Sequence, residues 1–279
     1  MKLGKIWAVY FSGTGTTRRT VERIAGGIAS RLDLPAERVN TVDFSHPAVR
    51  QETLGFGEKD LVVFGTPVYA GRVPNVLLPF LRERIVGGGA LAVPVVLFGN
   101  RNYDDALIEL RNILAADGMH PIAAGAFVGE HSFSRVLGAD RPNAEDEALM
   151  DEFAARVAEL AAGLDAAPVK PAAVRGQEPL RPYYTPRDRA GNPINILKVK
   201  PKTDLSRCGG CGLCADLCPM GSIDPADVSA VRGICIKCCA CVKGCPTGAK
   251  FFDDAGYLYH QHELEAQYAR PAENEVFYL

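Results

Sequence analysis

Residues 208–219 read CGGCGLCADLCP and residues 235–246 read CIKCCACVKGCP. Each is C-x2-C-x2-C-x3-C-P: Cys208, Cys211, Cys214 and Cys218 before Pro219, then Cys235, Cys238, Cys241 and Cys245 before Pro246. A [4Fe–4S] cubane takes four thiolates, and the two-residue gaps let one tight loop supply three of them. The proline keeps the chain from continuing as a helix and turns it away. A segment with little apolar core then folds around its metal. The runs also align as an internal repeat, CGGCGLCADLCPMGSI on CIKCCACVKGCPTGAK, two halves that stack on each other. A disulfide framework would need an oxidising compartment. Zinc knuckles show C-x2-C pairs, not two four-cysteine runs closed by proline. All nine cysteines lie between 208 and 245, a concentration that argues for metal.

In spacing and order the runs resemble the bacterial two-cluster ferredoxins, in which the fourth cysteine of each run serves the other cluster. The resemblance implies two [4Fe–4S] clusters, one on Cys208, Cys211, Cys214 and Cys245, the other on Cys235, Cys238, Cys241 and Cys218. Cys239 has no place in this scheme. It stands where many ferredoxins carry a small residue, so it is expected to pack beside the cluster, with a redox role as the sharper alternative.

The 279 residues suffice for two domains, and 47% are hydrophobic. No apolar run is long enough to span a membrane, and the N-terminal stretch has no small-residue cleavage site, so neither membrane insertion nor a signal peptide is expected. A net charge of −2 favours neither nucleic acid nor membrane. Reduced thiolates imply a reducing, cytoplasmic compartment, and exposed clusters imply an anaerobe. The charge is unevenly placed: residues 168–203 hold eight lysines and arginines against Glu178 and Asp188, between two acidic stretches.

Upstream, strand and helix patterns alternate. Strands are expected at 5–11, 38–44, 60–65, 91–99 and 122–128, and helices at 16–32, 103–117 and from an Asn143 cap, with Asp146 as its capping-box partner, to about 164. Pro94 is awkward in the fourth strand. Nearly all-apolar strands alternating with helices mean α/β, an open doubly wound parallel sheet. Ligands of such sheets bind at the carboxyl ends of the strands.

The loop after the first strand is Ser12-Gly13-Thr14-Gly15-Thr16-Thr17. Its glycines turn backbone N–H groups toward one point at a helix N-terminus, a nest for a terminal phosphate. The P-loop lysine is absent, and Arg18 stands where a dinucleotide fingerprint needs its third glycine. Asp43 keeps a nicotinamide site open as the lesser reading. Ser12, Thr14, Gly15 and Thr17 fill the (T/S)-x-T-G-x-T phosphate signature of flavodoxins, and the resemblance runs to about residue 165. It implies a flavodoxin-like five-stranded sheet that binds FMN. It also implies flavin contacts from Thr66-Pro67-Val68-Tyr69-Ala70-Gly71 after strand three, with Tyr69 stacking on the ring. After strand four it implies contacts from Gly99-Asn100-Arg101-Asn102-Tyr103-Asp104. His131, after strand five, and Tyr103 are the candidate proton donors if chemistry occurs at the flavin; each has an ordinary structural reading beside this one.

The expected organisation is therefore a flavodoxin-like domain (1–167), a Pro-rich basic linker (168–198), a small α+β two-cluster ferredoxin domain (199–254) and a docking tail (255–279) that lays its apolar EVFYL end on a neighbouring surface. Tyr183 and Tyr184 are expected to anchor the linker. The whole resembles a flavodoxin–ferredoxin fusion. The resemblance implies an electron carrier that exchanges electrons with redox partner proteins. An FMN-dependent reductase of a small molecule is the alternative. A homodimer is left open.

Overall fold

A computed structural model describes residues 3–279. Lys5–Tyr10 (β1) runs into Thr16–Arg31 (α1), followed by Val39–Asp43 (β2), Asp60–Pro67 (β3), Leu78–Glu83 (α2), Leu91–Phe98 (β4), Ala106–Ala116 (α3), Ala123–Val128 (β5) and Ala144–Gly163 (α4). The five strands pair in parallel in the order β5-β4-β3-β1-β2. They are sandwiched between two apolar layers. One holds Phe44, Phe64 and Leu107 beside α2 and α3; the other holds Ile24, Phe127 and Phe153 beside α1 and α4. All eight residues of β4 are buried, which is why the sequence there is almost unbroken hydrophobic.

Pro94 pairs with Phe64 on one side of β4. On the other side, pairing is interrupted: Leu91 and Ala92 face His120 and Pro121, and the ladder to β5 resumes only at Val95. The proline, which has no N–H to give, sits in that break. The capping box of α4 closes as the sequence suggests. Asn143 Oδ1 accepts from the Asp146 N–H at 3.0 Å and Asp146 Oδ2 accepts from the Asn143 N–H at 2.8 Å.

In the cysteine-rich segment, Lys202–Thr203 pairs antiparallel with Lys250–Phe251. Each run carries one short helix, Leu213–Asp216 (α5) and Ala240–Lys243 (α6). The repeat is visible in bonding: the Ser222 N–H donates to Cys218 Sγ and the Ala249 N–H to Cys245 Sγ, both at 3.3 Å.

The C-terminal tail does more than dock. Ala255–Gln267 forms a helix (α7), and Glu275–Tyr278 (β6) adds to the sheet antiparallel to β5, covering an edge that would otherwise be open. Its Tyr278 ring meets Phe153 at 5.6 Å.

The basic linker is strapped onto the sheet. Glu109, fully buried on α3, holds Arg72 through two bonds of 2.7 Å and accepts the Val73 N–H at 2.9 Å. Arg72 in turn donates to the Arg181 carbonyl. The Asp105 carboxylate accepts the backbone N–H groups of Gln177 and Arg181 at 3.0 and 2.7 Å. Tyr183 donates its hydroxyl to the Val73 carbonyl, and the Tyr184 N–H donates to the Ala70 carbonyl, both at 2.8 Å. Removing Glu109 leaves the guanidinium of Arg72 without its counter-charge, holding only the Arg181 carbonyl, and the Val73 N–H without an acceptor. Glu109→Ala should lower stability by about 3–5 kcal/mol, the usual cost of breaking a buried pair from one side; a urea midpoint equal to that of the parent would contradict this role.

Candidate functional site

Two cavities open at the carboxyl ends of the strands. The first, about 750 Å³, is lined by Ser12, Gly13, Thr14, Gly15 and Thr16, by Ser45 and His46 after β2, and by Arg135 and Arg141 after β5. Gly15 has φ 85, the left-handed turn that starts α1. Ser12 Oγ accepts from the Arg18 N–H at 3.1 Å, so the loop folds back on the helix it begins. Among the described residues, the N–H groups of Gly13 to Thr17 donate to no protein acceptor. That concentration of free donors at a helix N-terminus suits a phosphate. Arg18, Arg19 and Arg135 stand exposed at its mouth.

The second cavity, about 820 Å³ and mostly apolar, is lined by Val68, Tyr69, Ala70 and Gly71 after β3, by Gly99, Arg101 and Asn102 after β4, and by His131 after β5. It is shaped for a flat apolar ring with a few polar edges. Its remaining wall comes from elsewhere in the chain: Tyr183 and Tyr184 of the strap, residues 193–197, His260 of α7, and Cys235 with Lys237 of the second cysteine run. Arg101 lies 4.5 Å from the Tyr184 ring centroid, and Tyr184 stacks on His260 at 6.1 Å. The linker tyrosines thus form part of a binding wall rather than a simple surface anchor.

Several sequence-derived candidates turn elsewhere. Asn100 is spent on the tail: its side-chain amide donates to the carbonyls of Tyr268 and Arg270 at 2.6 and 3.1 Å and accepts the Ala272 N–H at 2.9 Å. Tyr103 is buried in the core, donates to Glu275 at 2.6 Å and accepts from Arg175 at 2.9 Å; it lines neither cavity. The expectation of a proton donor there gives way to a tie between α3, the strap and β6. Asp104 pairs with Arg101. Thr17 and Thr66 are buried behind the loops, and Pro67 closes β3; the Thr66 hydroxyl has no partner among the described residues.

His131 faces the apolar cavity. Its Nδ1 accepts the Phe133 N–H at 3.1 Å, which leaves the ring proton on Nε2. Burial, with the charges of Lys243, His260 and Arg101, lowers it from 6.5 to about 3. Tyr69 sits where burial and the sulfurs of Cys238, Cys239 and Cys235 hold its hydroxyl well above the usual range.

The eight motif cysteines fall into two hollows. Cys208, Cys211, Cys214 and Cys245 line one; Cys218, Cys235, Cys238 and Cys241 line the other. None of the nine cysteines is in a disulfide. Each hollow offers four soft donors around a space, the donor set that a cubane takes. In the first set Cys211 is exposed and the other three are half-buried; in the second Cys238 and Cys241 are buried and Cys218 and Cys235 half-buried. Burial pushes the Cys238 and Cys241 thiols up to about 12. Cys239 is buried beside them, its Sγ 3.4 Å from the Tyr257 hydroxyl.

The second cysteine run lies against the sheet domain. A Cβ on Gly13 would stand 3.1 Å from that of Cys238, so the phosphate-type loop and the second run are in direct contact. Two cations pin the junction. Arg50 donates to the carbonyls of Phe44 and Ser45, both at 2.7 Å, and to that of Pro219 at 2.5 Å. Lys243 pairs with Glu130 and donates to the carbonyls of His131 and Ser134 at 2.6 and 2.8 Å. Neither cation carries a motif, and only the fold brings them to the seam.

Residues 201–224 match the family model described as a 4Fe-4S binding domain. The parallel strand order β2-β1-β3-β4-β5 is that of flavodoxins, with its switch point between β1 and β3. The chain joins a flavodoxin-like sheet to a 4Fe–4S binding domain. Similar solved structures include a flavodoxin from the domain Archaea (17% identity, 56% of this chain and 96% of that one, TM-score 0.40). An NADH:FMN oxidoreductase in its apo form is also similar (17%, 60% and 92%, TM-score 0.39), as is the rubredoxin oxygen:oxidoreductase of the anaerobe Desulfovibrio gigas (16%, 59% and 38%, TM-score 0.36). No curated protein matches the chain. Among the described residues, no helix is long and apolar enough to cross a membrane.

The lowered His131 fixes a pH dependence. The unfolded chain takes up this proton below about 6.5 and the folded one only near 3, so the associated stability is complete above 6.5 and is lost as pH falls toward 3. His131→Gln should flatten the acid limb of the stability profile in that window, followed by urea unfolding at stepped pH. An acid limb with the parent's slope would contradict a buried neutral imidazole.

Proposed function

We propose that this chain is an electron carrier that houses FMN and two [4Fe–4S] clusters in one polypeptide and exchanges electrons with external redox proteins in a reducing cytoplasm. The supporting observation is the seam: Cys235 lines the same apolar cavity as the loops after β3, β4 and β5, while Cys238 touches Gly13 of the phosphate-type loop. The set Cys218, Cys235, Cys238 and Cys241 is then the proximal one, and Cys208, Cys211, Cys214 and Cys245 the distal one. FMN exchanges one or two electrons and each cubane one, so the groups together let single electrons accumulate in pairs.

The chain's own residues divide the work. Gly13 to Thr17 hold the phosphate with backbone N–H groups, and Val68 to Gly71, Gly99, Asn102 and Tyr184 enclose the ring. Arg50 and Lys243 hold the proximal run against that site, so transfer does not wait for diffusion between separate proteins. Cys211 is exposed, as are Leu205 and Leu213 nearby in sequence, which leaves the distal set accessible to an outside partner. The basic strap lies between acidic segments of the same chain and ties them, in keeping with clusters whose first partner is already attached.

One observation favours the reductase as a second reading. The apolar cavity extends along residues 193–197 and presents His131, whose Nε2–H has no protein acceptor among the described residues. A small acceptor above the flavin would find a neutral N–H donor there.

Anaerobic purification followed by iron, sulfide and FMN counts tests the proposal. The expected result is about eight irons, about eight sulfides and one FMN per chain, since each cubane carries four of each inorganic atom. About half the iron after careful reconstitution, or no FMN, would overturn it. Cys235→Ala should remove about half the iron while FMN binding persists, read by the same counts.

A further inference from the structure

The two cysteine runs provide an internal comparison. Aligned on their cysteines, Gly210 and Gly212 of the distal run stand where Lys237 and Cys239 stand in the proximal run. All four residues have left-handed backbone, with φ of 68°, 75°, 55° and 59°. Glycine adopts that conformation without a steric penalty, whereas an ordinary L-residue costs on the order of 1–2 kcal/mol. The same turn is therefore built cheaply in the exposed run and with strain in the run that meets the flavodoxin-like domain. Strain retained at one copy of a repeat points to a job for the side chain.

Lys237 carries a second anomaly. It is 9% exposed, and its Nζ donates to the carbonyls of Leu197 and Cys235 at 2.9 and 2.8 Å. These bonds use two of the three ammonium donors. Among the described residues, no carboxylate pairs with it. A buried cation without a counter-charge is expensive unless something anionic lies beside it. Lys237 lines the apolar cavity beside Cys235, one of the proximal thiols, whose carbonyl it holds. By contrast, a Cβ on Gly210 would meet nothing within 4 Å, so the distal run has room for a side chain there and carries none.

We propose that Lys237 is a redox-tuning residue whose positive charge favours an electron on the proximal centre, held by Cys218, Cys235, Cys238 and Cys241, over the distal one. The inference rests on the carrier reading above. The step it biases moves one electron: the distal centre is oxidised, the proximal centre is reduced, and no bond or proton changes place. A fixed cation stabilises the more negative, reduced form of its neighbour, and the effect is strong where solvent is excluded. Direction toward the apolar cavity is thereby written into the strained turn.

The test is a potentiometric titration of the anaerobically reconstituted full chain, followed by electron paramagnetic resonance and visible absorbance. It compares the parent with Lys237→Gly, Lys237→Arg and Gly210→Lys. Iron and FMN are counted first. A parent that lacks two clusters or FMN counts against the carrier reading, whereas a loaded parent tests Lys237 itself. Lys237→Gly relieves the left-handed strain, so it should unfold at the parent's urea concentration or higher. It should also lower the occupancy of the proximal centre relative to the distal one about tenfold, or about 59 mV for a one-electron couple. Lys237→Arg should stay near the parent, and Gly210→Lys should narrow the gap from the distal side. Lys237→Met, which keeps the stem without the charge, must show the same shift as Lys237→Gly and replaces it if the glycine variant loads poorly. Unchanged potentials in a loaded, uncharged variant would overturn the inference. So would equal shifts in the glycine and arginine variants, which would mark Lys237 as a tie between two carbonyls.

Discussion

The approach of Cys238 to Gly13 is the constraint around which the molecule is arranged. A side chain on Gly13 would crowd the cysteine, so the bare glycine lets the second cysteine run lie against the loop that Gly15 turns into α1. Arg50 and Lys243 then fix the seam through carbonyl acceptors on both sides. With that seam in place, the strap needs only to cross over, and its Tyr183 and Tyr184 complete the wall of the apolar cavity. A flexible tether would raise effective concentration; a bonded seam also fixes orientation.

The two halves contribute unlike forms of stability. The sheet domain buries two thick apolar layers. The cysteine-rich segment buries few apolar side chains, Ile223, Ala240 and Ala249 beside Cys238, Cys239 and Cys241, and its organisation depends on what its thiols hold. The asymmetry between its hollows follows from the seam. The proximal run is the more buried because Cys238 lies against Gly13 of the sheet domain, whereas Cys211 of the distal run is exposed. Access from outside and isolation inside are thus divided between two copies of one repeat.

Much of this was legible in the chain. The strands at 5–11, 38–44, 60–65, 91–99 and 122–128 appear within a few residues of their patterns, because parallel strands buried on both faces must be apolar throughout. The eight motif cysteines line two hollows, Cys218 with the second run and Cys245 with the first. What the sequence hid is long-range and polar. Asn100 looks like a ligand residue by position, but its amide holds the chain at 268–272. Tyr103 looks like a ring cover, but Glu275, 172 residues away, claims its hydroxyl. The edge-adding role of 275–278 depends on an open strand at β5, and the wall formed by Tyr184 depends on where Arg72 and Asp105 tie the strap. None of these partners carries a local pattern. Lys237 becomes visible only when the repeat alignment and the backbone angles are considered together.

On the proposed reading, electrons pass between the proximal centre and the flavin site within one chain. The most direct measurement is the rate at which flavin absorbance changes after a rapid one-electron pulse reduces the loaded, anaerobic protein at its exposed distal end. Transfer within one chain gives a single first-order rate that does not change when the protein is diluted. A rate that falls in proportion to dilution would mean that electrons travel between separate molecules, and would contradict it.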